Sequence, residues 1–339
     1  MPSASPILSS RRMRILVIGG TRFIGRHLVV ELLQRGHQVT ILHRGRQNPF
    51  GDRVIELIAD RLDHHSVKRA LAGLPFDAVF DNAYVWDRGT SARDVAAIVQ
   101  SIPSKLHRYV FTSSVAVYTF GLDLTEDAPL ADRADRYTRD KVESEQYLRR
   151  EARRRGLPVS IIRPPFVYGP HNHAYREAFF WDRIERGRPI ILPDHGENLM
   201  HFAYVKDVAW ALARTLEVDA AIGQAYNIAH ESPVSQRAFV ESLARVAQRP
   251  VRFAFLPRER IHQLGGRPLG DPLYFGEALD MSSFSVRIEK ARRELDFQPT
   301  DWEVGLRETY QWYCRYARDQ RPLDFSFEDR LLQEAEWEN

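Results

Sequence analysis

Tyr137 and Lys141, in the stretch YTRDK, are four residues apart, which is about one turn of an α-helix. Positions i and i+4 lie on the same helix face, so the phenol and the ammonium can approach each other. A phenol in water has a pKa of about 10, and a nearby ammonium lowers that pKa by roughly 1 to 3 units. The pair can therefore act as a general acid and base near neutral pH.

A hydroxyl group at the end of a predicted strand gives this pair a third member. Ser114 ends the apolar stretch RYVFTSS, and the helix that carries Tyr137 follows it in the chain. The strand end and the following helix meet at the same face of a cleft. Ser114 can then hydrogen-bond the substrate oxygen whose proton Tyr137 takes or gives. The spacing predicts a proton-transfer site made of Ser114, Tyr137 and Lys141.

The stretch MRILVIGGTRFIG predicts a strand, a tight turn and the start of a helix. Gly19 permits the turn, Gly25 lets the helix pack on the strand, and the helix N-terminus offers free N–H groups to a pyrophosphate. Arg22 stands where such turns usually have a middle glycine, so it either contacts a phosphate by charge or points to solvent. The expected cofactor contacts from this turn are Gly19, Thr21, Arg22, Phe23 and Ile24.

The end of the second predicted strand indicates the type of nucleotide. A carboxylate there would bind the adenosine ribose hydroxyls of NAD, but LHRGR carries Arg44 and Arg46 instead. Guanidinium groups are planar, permanently charged forks that suit a 2′-phosphate. We therefore expect NAD(P) as the cofactor, with NADP slightly favoured over NAD.

Other strand ends supply the remaining expected cofactor contacts. Asp60 and Arg61 follow the third predicted strand, where a carboxylate can accept a hydrogen bond from the adenine amine. Ala83, after the fourth strand, is small enough to let the cofactor lie close. Lys141 and Pro164 complete the expected set.

Strands and helices alternate through residues 14–170, and the near-continuous apolar strands predict a parallel sheet covered on both faces. Residues 171–217 mix helices with a hairpin-like piece, and AYNIAHES predicts a strand that returns to the sheet. We expect an α/β Rossmann fold, doubly wound, with a smaller discontinuous C-terminal α/β domain. The expected boundaries are 1–13 (disordered leader), 14–170 with 204–233 (Rossmann domain), 171–203 with 234–320 (substrate domain) and 321–339 (C-terminal tail).

Composition and charge limit the kinds of partner that this protein is expected to bind. The net charge is only +3 over 339 residues, so the arginine-rich stretch 148–156 favours a solvated helix face over a nucleic-acid site. No apolar run approaches the roughly 18 residues of a membrane helix. A lone Cys314 excludes an intramolecular disulfide and suits a reducing cytoplasm. The histidines of HNH at 171–173 lack a ligand cluster, so no metal is expected.

Several motifs together resemble the extended short-chain dehydrogenases/reductases, a family of nucleotide-sugar epimerases, dehydratases and reductases. The resemblance covers about residues 14–315 and rests on GGTRFIG, SSVAVY, YTRDK, IIRPPFVYGP and HFAYVKDVAWAL. It implies that Ser114 orients the substrate and that Tyr137 is the acid/base. It also implies that Lys141 holds the nicotinamide ribose while lowering the pKa of Tyr137.

The same resemblance implies a homodimer. In this family the helix SARDVAAIVQSI and the Tyr137 helix pair with their symmetry mates as a four-helix bundle. We expect the apolar positions on these two helices to form part of that face or, alternatively, part of the core of one chain. These positions are Val95, Ile98, Val142 and Leu148.

Some residues depart from the family pattern. Val115 and Ala116 stand where sugar dehydratases carry an Asp-Glu pair, so dehydration is not favoured. Met200 replaces an arginine that commonly binds the diphosphate, and Phe166 replaces an asparagine, which argues against a nucleoside diphosphate, although Arg267 could supply a phosphate contact. The expected substrate contacts are Tyr84, Val115, Phe166, His171, Asn172, His201 and Arg267.

We expect an NAD(P)-dependent sugar-nucleotide epimerase or reductase that acts through a keto intermediate on a small molecule. Net carbonyl reduction of a non-nucleotide substrate is one alternative. RNA binding on the same fold is another, because Arg22, HRG and LDFSFEDRLL also resemble the chloroplast stem-loop binding subgroup. The presence of Tyr137 favours chemistry.

Overall fold

The computed structural model describes residues 12–45, 47–132, 135–266 and 281–337. Two residues predicted from the sequence, Arg46 and Arg267, lie outside the described residues. The strands are β1 (Arg14–Ile18), β2 (Gln38–His43), β3 (Ile55–Ile58), β4 (Ala78–Asp81), β5 (Arg108–Thr112), β6 (Val159–Arg163), β7 (Phe166–Tyr168), β8 (Ile190–Pro193), β9 (Leu199–Met200), β10 (Phe202–Tyr204), β11 (Ala225–Asn227), β12 (Val234–Ser235), β13 (Phe253–Leu256) and β14 (Glu336–Trp337). The α-helices are α1 (Phe23–Gln34), α2 (His64–Leu71), α3 (Ala92–Ser101), α4 (Arg136–Arg155), α5 (Glu177–Ile184), α6 (Val205–Arg214), α7 (Gln236–Ala247), α8 (Arg258–Gln263), α9 (Glu289–Leu295), α10 (Trp302–Tyr316) and α11 (Ser326–Leu332).

Seven strands form one parallel sheet in the order β11-β6-β5-β4-β1-β2-β3. The strand order reverses between β1 and β4, so a crevice opens at their carboxyl ends. The predicted Rossmann fold is confirmed, and β11 returns to the sheet as AYNIAHES predicted.

The first strand shows how the sequence builds two hydrophobic layers. Successive side chains of a strand point to opposite faces, and β1 is apolar at every interior position. Ile15 and Val17 pack in the core that contains α1 and α6, whereas Leu16 and Ile18 pack in the core under α2, α3 and α4. Helices therefore cover both faces of the sheet.

The four apolar residues expected at a dimer face lie in the core of the chain instead. Val95, Ile98 and Leu148 are buried in the core beneath α3 and α4, and Val142 is buried in the core on the other side. The intramolecular alternative is thus the correct one for these residues, because all four side chains are already buried within a single chain. They give a dimer no support.

The hairpin-like piece predicted within residues 171–217 is wrong. Strands β8, β9 and β10 do not pair with one another: β8 pairs with β13, β9 with β12 and β10 with β7. The C-terminal residues are packed as well, because β14 pairs with β13 and α11 buries Phe327 and Leu331. Within the described ranges, no helix is long and apolar enough to cross a membrane.

Candidate active site

Lys141 lies at the centre of the site, on the second turn of α4. Its Nζ donates to the carbonyl oxygen of Thr112 at the end of β5, at 2.6 Å. The ammonium is also 4.8 Å from the ring centroid of Phe111 and 5.8 Å from that of Tyr137. Burial lowers the pKa of Lys141 to about 8, so the ammonium is held close to its point of deprotonation.

Tyr137 begins α4, one turn before Lys141, so the predicted pair shares one helix face. Asp135 caps the helix by accepting from the backbone N–H of Thr138. Two aromatic rings enclose the Tyr137 ring: Trp86 stacks on it at 4.9 Å and Tyr84 meets it edge-on at 4.8 Å. The phenol is therefore fixed by packing as well as by the helix.

Ser114 is buried where β5 ends, immediately before a short 3-10 helix, Val115–Val117. Its Oγ accepts from the backbone N–H of Ala116 at 3.1 Å. The backbone N–H of Val115 donates to the carbonyl oxygen of Pro164 at 3.1 Å, which joins the ends of β5 and β6. Ser114 and the Lys141 amine thus emerge at the same end of β5.

The glycine turn has no room for larger residues. Gly19 has a φ of +84°, and a Cβ on it would lie 2.8 Å from the Cβ of Ala83. A Cβ on Gly25 would lie 2.0 Å from the carbonyl oxygen of Gly19. The strand, the turn and α1 are therefore packed backbone to backbone. Thr21, Phe23 and Ile24 line the helix start, where the first N–H groups have no partner within the helix.

Arg22 occupies the N-cap of α1 with a φ of −131°, in extended backbone that any residue adopts. The middle glycine is therefore not required for backbone shape at this position. The Arg22 side chain is exposed, and so is that of Arg44 after β2. The N–H of Gly19 donates to the carbonyl oxygen of Leu42 at 3.0 Å, so the two arginines leave from adjacent strand ends.

Asp60 lies at the end of β3, half-buried. It accepts from Arg88 at 2.7 Å and from the backbone N–H of Leu62 at 3.1 Å. Burial raises the pKa of Asp60, but these hydrogen bonds and the charges of Arg88 and Arg44 outweigh burial and hold that pKa below its usual range. Asp60 is thus a carboxylate at the expected adenine end of the crevice.

Arg61 is placed differently from Asp60, because its side chain points into the protein. The guanidinium binds Asp81 through both Nη atoms, at 2.6 and 3.1 Å, and donates to the carbonyl oxygen of Ala83. Asp81 also accepts from the hydroxyl of Tyr109 at 2.9 Å. The Arg61 side chain therefore holds the Ala83 carbonyl group in place from the interior of the protein.

The residues expected to contact the substrate lie in different parts of the structure. Tyr84 meets the Tyr137 ring, and Val115 follows Ser114 at the start of the short 3-10 helix. His171 lies between His27 of α1 and Trp312 of α10, and burial lowers its pKa to about 4. Asn172 binds Glu177 at 2.9 Å and lines a small cavity of about 40 Å³ against α10.

Two other expected substrate residues have structural contacts. His201 is buried, and both of its ring nitrogens are engaged: Nδ1 accepts from the N–H of Val286 and Nε2 donates to the carbonyl oxygen of His230. Burial lowers its pKa to about 4. Phe166 packs on Phe202, with the guanidinium of Arg176 over its ring at 4.9 Å.

Two residues of the 84–90 loop, and one α4 residue that binds this loop, were not predicted from the sequence. Trp86 stacks on Tyr137, Arg88 binds Asp60, and Asp140 of α4 accepts from both the hydroxyl of Tyr84 and the N–H of Thr90. The signal was available, because WDRG follows directly on a predicted strand end, where cleft residues gather.

Comparisons with known proteins agree with the fold described above. Residues 15–229 match the family model described as the NAD dependent epimerase/dehydratase family. The chain belongs to that family. It is 30% identical to the chloroplast stem-loop binding protein of 41 kDa b of Arabidopsis thaliana, over 96% of this chain and 86% of that protein.

Other matches extend the comparison. The chain is 29% identical to the sterol-4-alpha-carboxylate 3-dehydrogenase, decarboxylating, of Mus musculus, over 66% of each. Its fold resembles that of the UDP-glucose 4-epimerase from Thermotoga maritima, solved with UDP-glucose, with a TM-score of 0.73 and 20% identity. That match covers 89% of this chain and 99% of the epimerase. This family member is therefore an extended short-chain dehydrogenase/reductase.

The residues present fit an NAD-type cofactor. Gly19 and Ala83 lie so close that no larger side chain fits between them, and the free N–H groups at the start of α1 would hold the pyrophosphate of a bound dinucleotide. Asp60 suits the adenine amine, and Lys141 suits the ribose hydroxyls beside the nicotinamide.

Proposed function

We propose that this family member transfers a hydride between NAD(P) and a secondary carbinol carbon of a sugar nucleotide, with epimerisation as the net result. The proposal is supported by Lys141, whose amine donates to the Thr112 carbonyl oxygen shortly before Ser114 in the chain, and by Tyr137, which lies one turn before Lys141 on α4. Its relatives in the family support chemistry of this type.

Each residue has a distinct part in the proposed reaction. The phenolate of Tyr137 takes the proton of the substrate hydroxyl, and the Ser114 hydroxyl holds that oxygen in place. The Lys141 ammonium favours the phenolate by charge. When bound, the nicotinamide supplies the acceptor and later the donor of the hydride. Tyr137 then returns its proton to the oxygen of the keto intermediate.

Net reduction of a non-nucleotide carbonyl compound needs the same three residues. The two outcomes differ in where the hydride ends: in epimerisation it returns to the keto intermediate and the cofactor is regenerated, whereas in net reduction it passes from NAD(P)H to the carbonyl compound and the cofactor leaves oxidised. Product analysis with catalytic NAD, beside a second incubation with stoichiometric NAD(P)H, separates them, because only the epimerase turns over repeatedly on catalytic NAD and only the reductase consumes NAD(P)H.

The pH dependence of turnover tests the proposal. We expect kcat/KM for alcohol oxidation to rise with pH as the Tyr137 phenol ionises, and Lys141→Met should move that rise to higher pH, because the ammonium that favours the phenolate is gone. Lys141→Arg should keep the rise at lower pH, since a guanidinium stays protonated. At pH 7, Lys141→Met should lower kcat/KM roughly tenfold or more, and the difference should shrink above about pH 8, where the wild-type lysine also loses its charge.

Initial rates of NADH formation between pH 6 and 10, a range of about four units around the Lys141 pKa, provide the measurement. Circular dichroism checks that both variants fold. A Lys141→Met profile superimposable on that of the wild type contradicts the role given to Lys141.

The choice between NADP and NAD rests on exposed arginines. If Arg22 and Arg44 flank the adenosine 2′-position, Arg44→Asp should weaken NADP binding by about ten- to hundredfold, because a charge-assisted contact contributes roughly 1.5 to 3 kcal/mol. The new carboxylate can accept ribose hydroxyl bonds, so NAD should bind more tightly.

Arg22→Gly is the companion variant. We expect it to lose NADP affinity with little change for NAD, because the Arg22 backbone is extended and needs no glycine. Calorimetric titration of both cofactors against the three proteins measures these effects. Equal NADP affinity in all three would end the 2′-phosphate proposal.

RNA binding is a second candidate function. The exposed side of α4 carries Arg139, Arg150 and Arg153, and the Arabidopsis relative is named for binding a stem-loop. Arginines on one helix face can contact phosphates without using the cleft. This function would not depend on Tyr137, which allows the two candidates to be separated.

A further inference from the structure

The 84–90 loop, between β4 and α3, lies across the crevice and is held at several points. The Tyr84 hydroxyl and the N–H of Thr90 both donate to Asp140 Oδ2, at 2.9 and 3.1 Å. The Arg136 guanidinium donates to the carbonyl oxygens of Trp86 and Asp87, at 2.9 and 3.2 Å. Arg136 and Asp140 immediately precede Tyr137 and Lys141 in the chain, so one turn of α4 holds both the loop and the reacting groups.

The fit of this loop leaves little freedom. Gly89 has a φ of +82°, and a Cβ there would lie 2.8 Å from Asp140 Oδ2. Thr90 Oγ1 accepts from the N–H of Val85 at 3.0 Å, which closes the loop on itself. At its far end Arg88 reaches Asp60. The backbone that carries Trp86 is therefore held in place on both sides of the residue.

Trp86 packs closely against two aromatic rings, and yet most of its surface is exposed to solvent. Its ring plane is tilted by only 19° from that of Tyr137, with ring centroids 4.9 Å apart, and it meets Tyr84 edge-on at 5.1 Å. Yet 60% of the residue is exposed. An aromatic ring usually loses most of its surface to packing, so this exposed indole leaves apolar surface uncovered beside the proposed acid/base.

We propose that Trp86 is a substrate-positioning residue: it packs against Tyr137 and presents its open surface to the apolar C–H face of the pyranose ring that undergoes oxidation. The inference rests on the proposed function and assigns the platform on which the reacting ring lies. An apolar surface next to a few placed polar groups is the usual composition of a small-molecule site. Here the polar groups are Ser114, Tyr137 and Lys141.

The experiment compares Trp86→Ala with Trp86→Phe in the full chain. Loss of the stacking surface should raise KM for the sugar nucleotide by about three- to tenfold, and phenylalanine should restore most of it. NAD affinity should stay within about twofold, because the proposed contact is with substrate. Trp337→Ala is the matched control, since it removes another exposed indole, on β14, and should leave KM unchanged.

A binding readout makes the test independent of turnover. UDP-glucose, UDP-N-acetylglucosamine and a 3β-hydroxysterol are titrated with NAD present, and tryptophan fluorescence is followed in the wild type and in Trp86→Phe. A fluorescence change on UDP-sugar binding that Trp86→Phe lacks supports the inference. A change seen only with the sterol keeps Trp86 as a platform but overturns the pyranose ring.

The remaining outcomes separate this inference from the proposed function. Turnover that depends on Tyr137, with KM unchanged in Trp86→Ala, overturns the inference alone. Binding that alters Trp86 fluorescence without any hydride transfer overturns the proposed function alone. A loss of NAD affinity in Trp86→Ala as large as the loss in kcat/KM assigns Trp86 to the cofactor and overturns the inference. No binding and no turnover with any of the three probes overturn both.

Discussion

Replacing Tyr137 with phenylalanine is expected to lower kcat by roughly 10² to 10⁴-fold, the usual contribution of a positioned general acid/base. The change removes one hydroxyl and keeps the ring, so the contacts with Trp86 and Tyr84 should survive. NAD affinity should change by less than about twofold, because the substrate proton, and not the dinucleotide, loses its partner. Single-turnover rates and calorimetric titration of NAD measure the two effects.

Tyr313→Phe is a suitable control. Tyr313 is buried on α10, where its hydroxyl donates to Asp182 at 2.7 Å, so this variant also loses a tyrosine hydroxyl but outside the proposed site. It should lose stability without losing the rate of the chemical step. Stem-loop RNA affinity should be equal in wild type and Tyr137→Phe. Near-normal turnover by Tyr137→Phe on the substrate would contradict the proposed mechanism.

The sheet could be predicted because its signals are local. Apolar strands, glycine turns and amphipathic helices alternate from residue 14 to residue 170, and each unit pairs with a sheet neighbour by the usual crossover rule. The C-terminal half could not be predicted in the same way. Strands β8 and β13 are short, and the 60 or so residues between them give no sign that the two will pair.

In the candidate site, too, some residues could be predicted from the sequence and others could not. The roles proposed for Ser114, Tyr137 and Lys141 could be predicted from the sequence because they depend on spacing along one strand and one helix. His201 could not be placed, because its ring is bound by backbone groups of Val286 and His230, which lie far along the chain. Apolar residues such as Val95 and Leu148 show that a helix face will be buried, but not whether a sheet or a second copy covers it.

From its position in the sequence, Arg61 is expected to contact the cofactor. In the structure its side chain instead pairs with a buried carboxylate. Arg61 is 3% exposed, and its Asp81 partner is 1% exposed. Burial lowers the pKa of Arg61, but the Asp81 carboxylate more than offsets burial, so that pKa lies above its usual value. Such a pair is stable only while both charges are present.

Arg61→Met is therefore expected to lower the free energy of unfolding by about 3 to 5 kcal/mol, because it leaves the Asp81 carboxylate buried without its cation. Arg61→Met combined with Asp81→Asn should recover much of this loss, since no charge remains buried and the amide oxygen can still accept from Tyr109. Arg14→Met is the matched control: Arg14 pairs with Asp77 at the surface, with 49% of its side chain exposed, so its loss should change the free energy of unfolding far less than the loss of Arg61. Urea unfolding at pH 7 measures all three. If Arg61→Met unfolds like the wild type but loses NAD affinity, then Arg61 is a cofactor ligand and not the support of the Ala83 backbone.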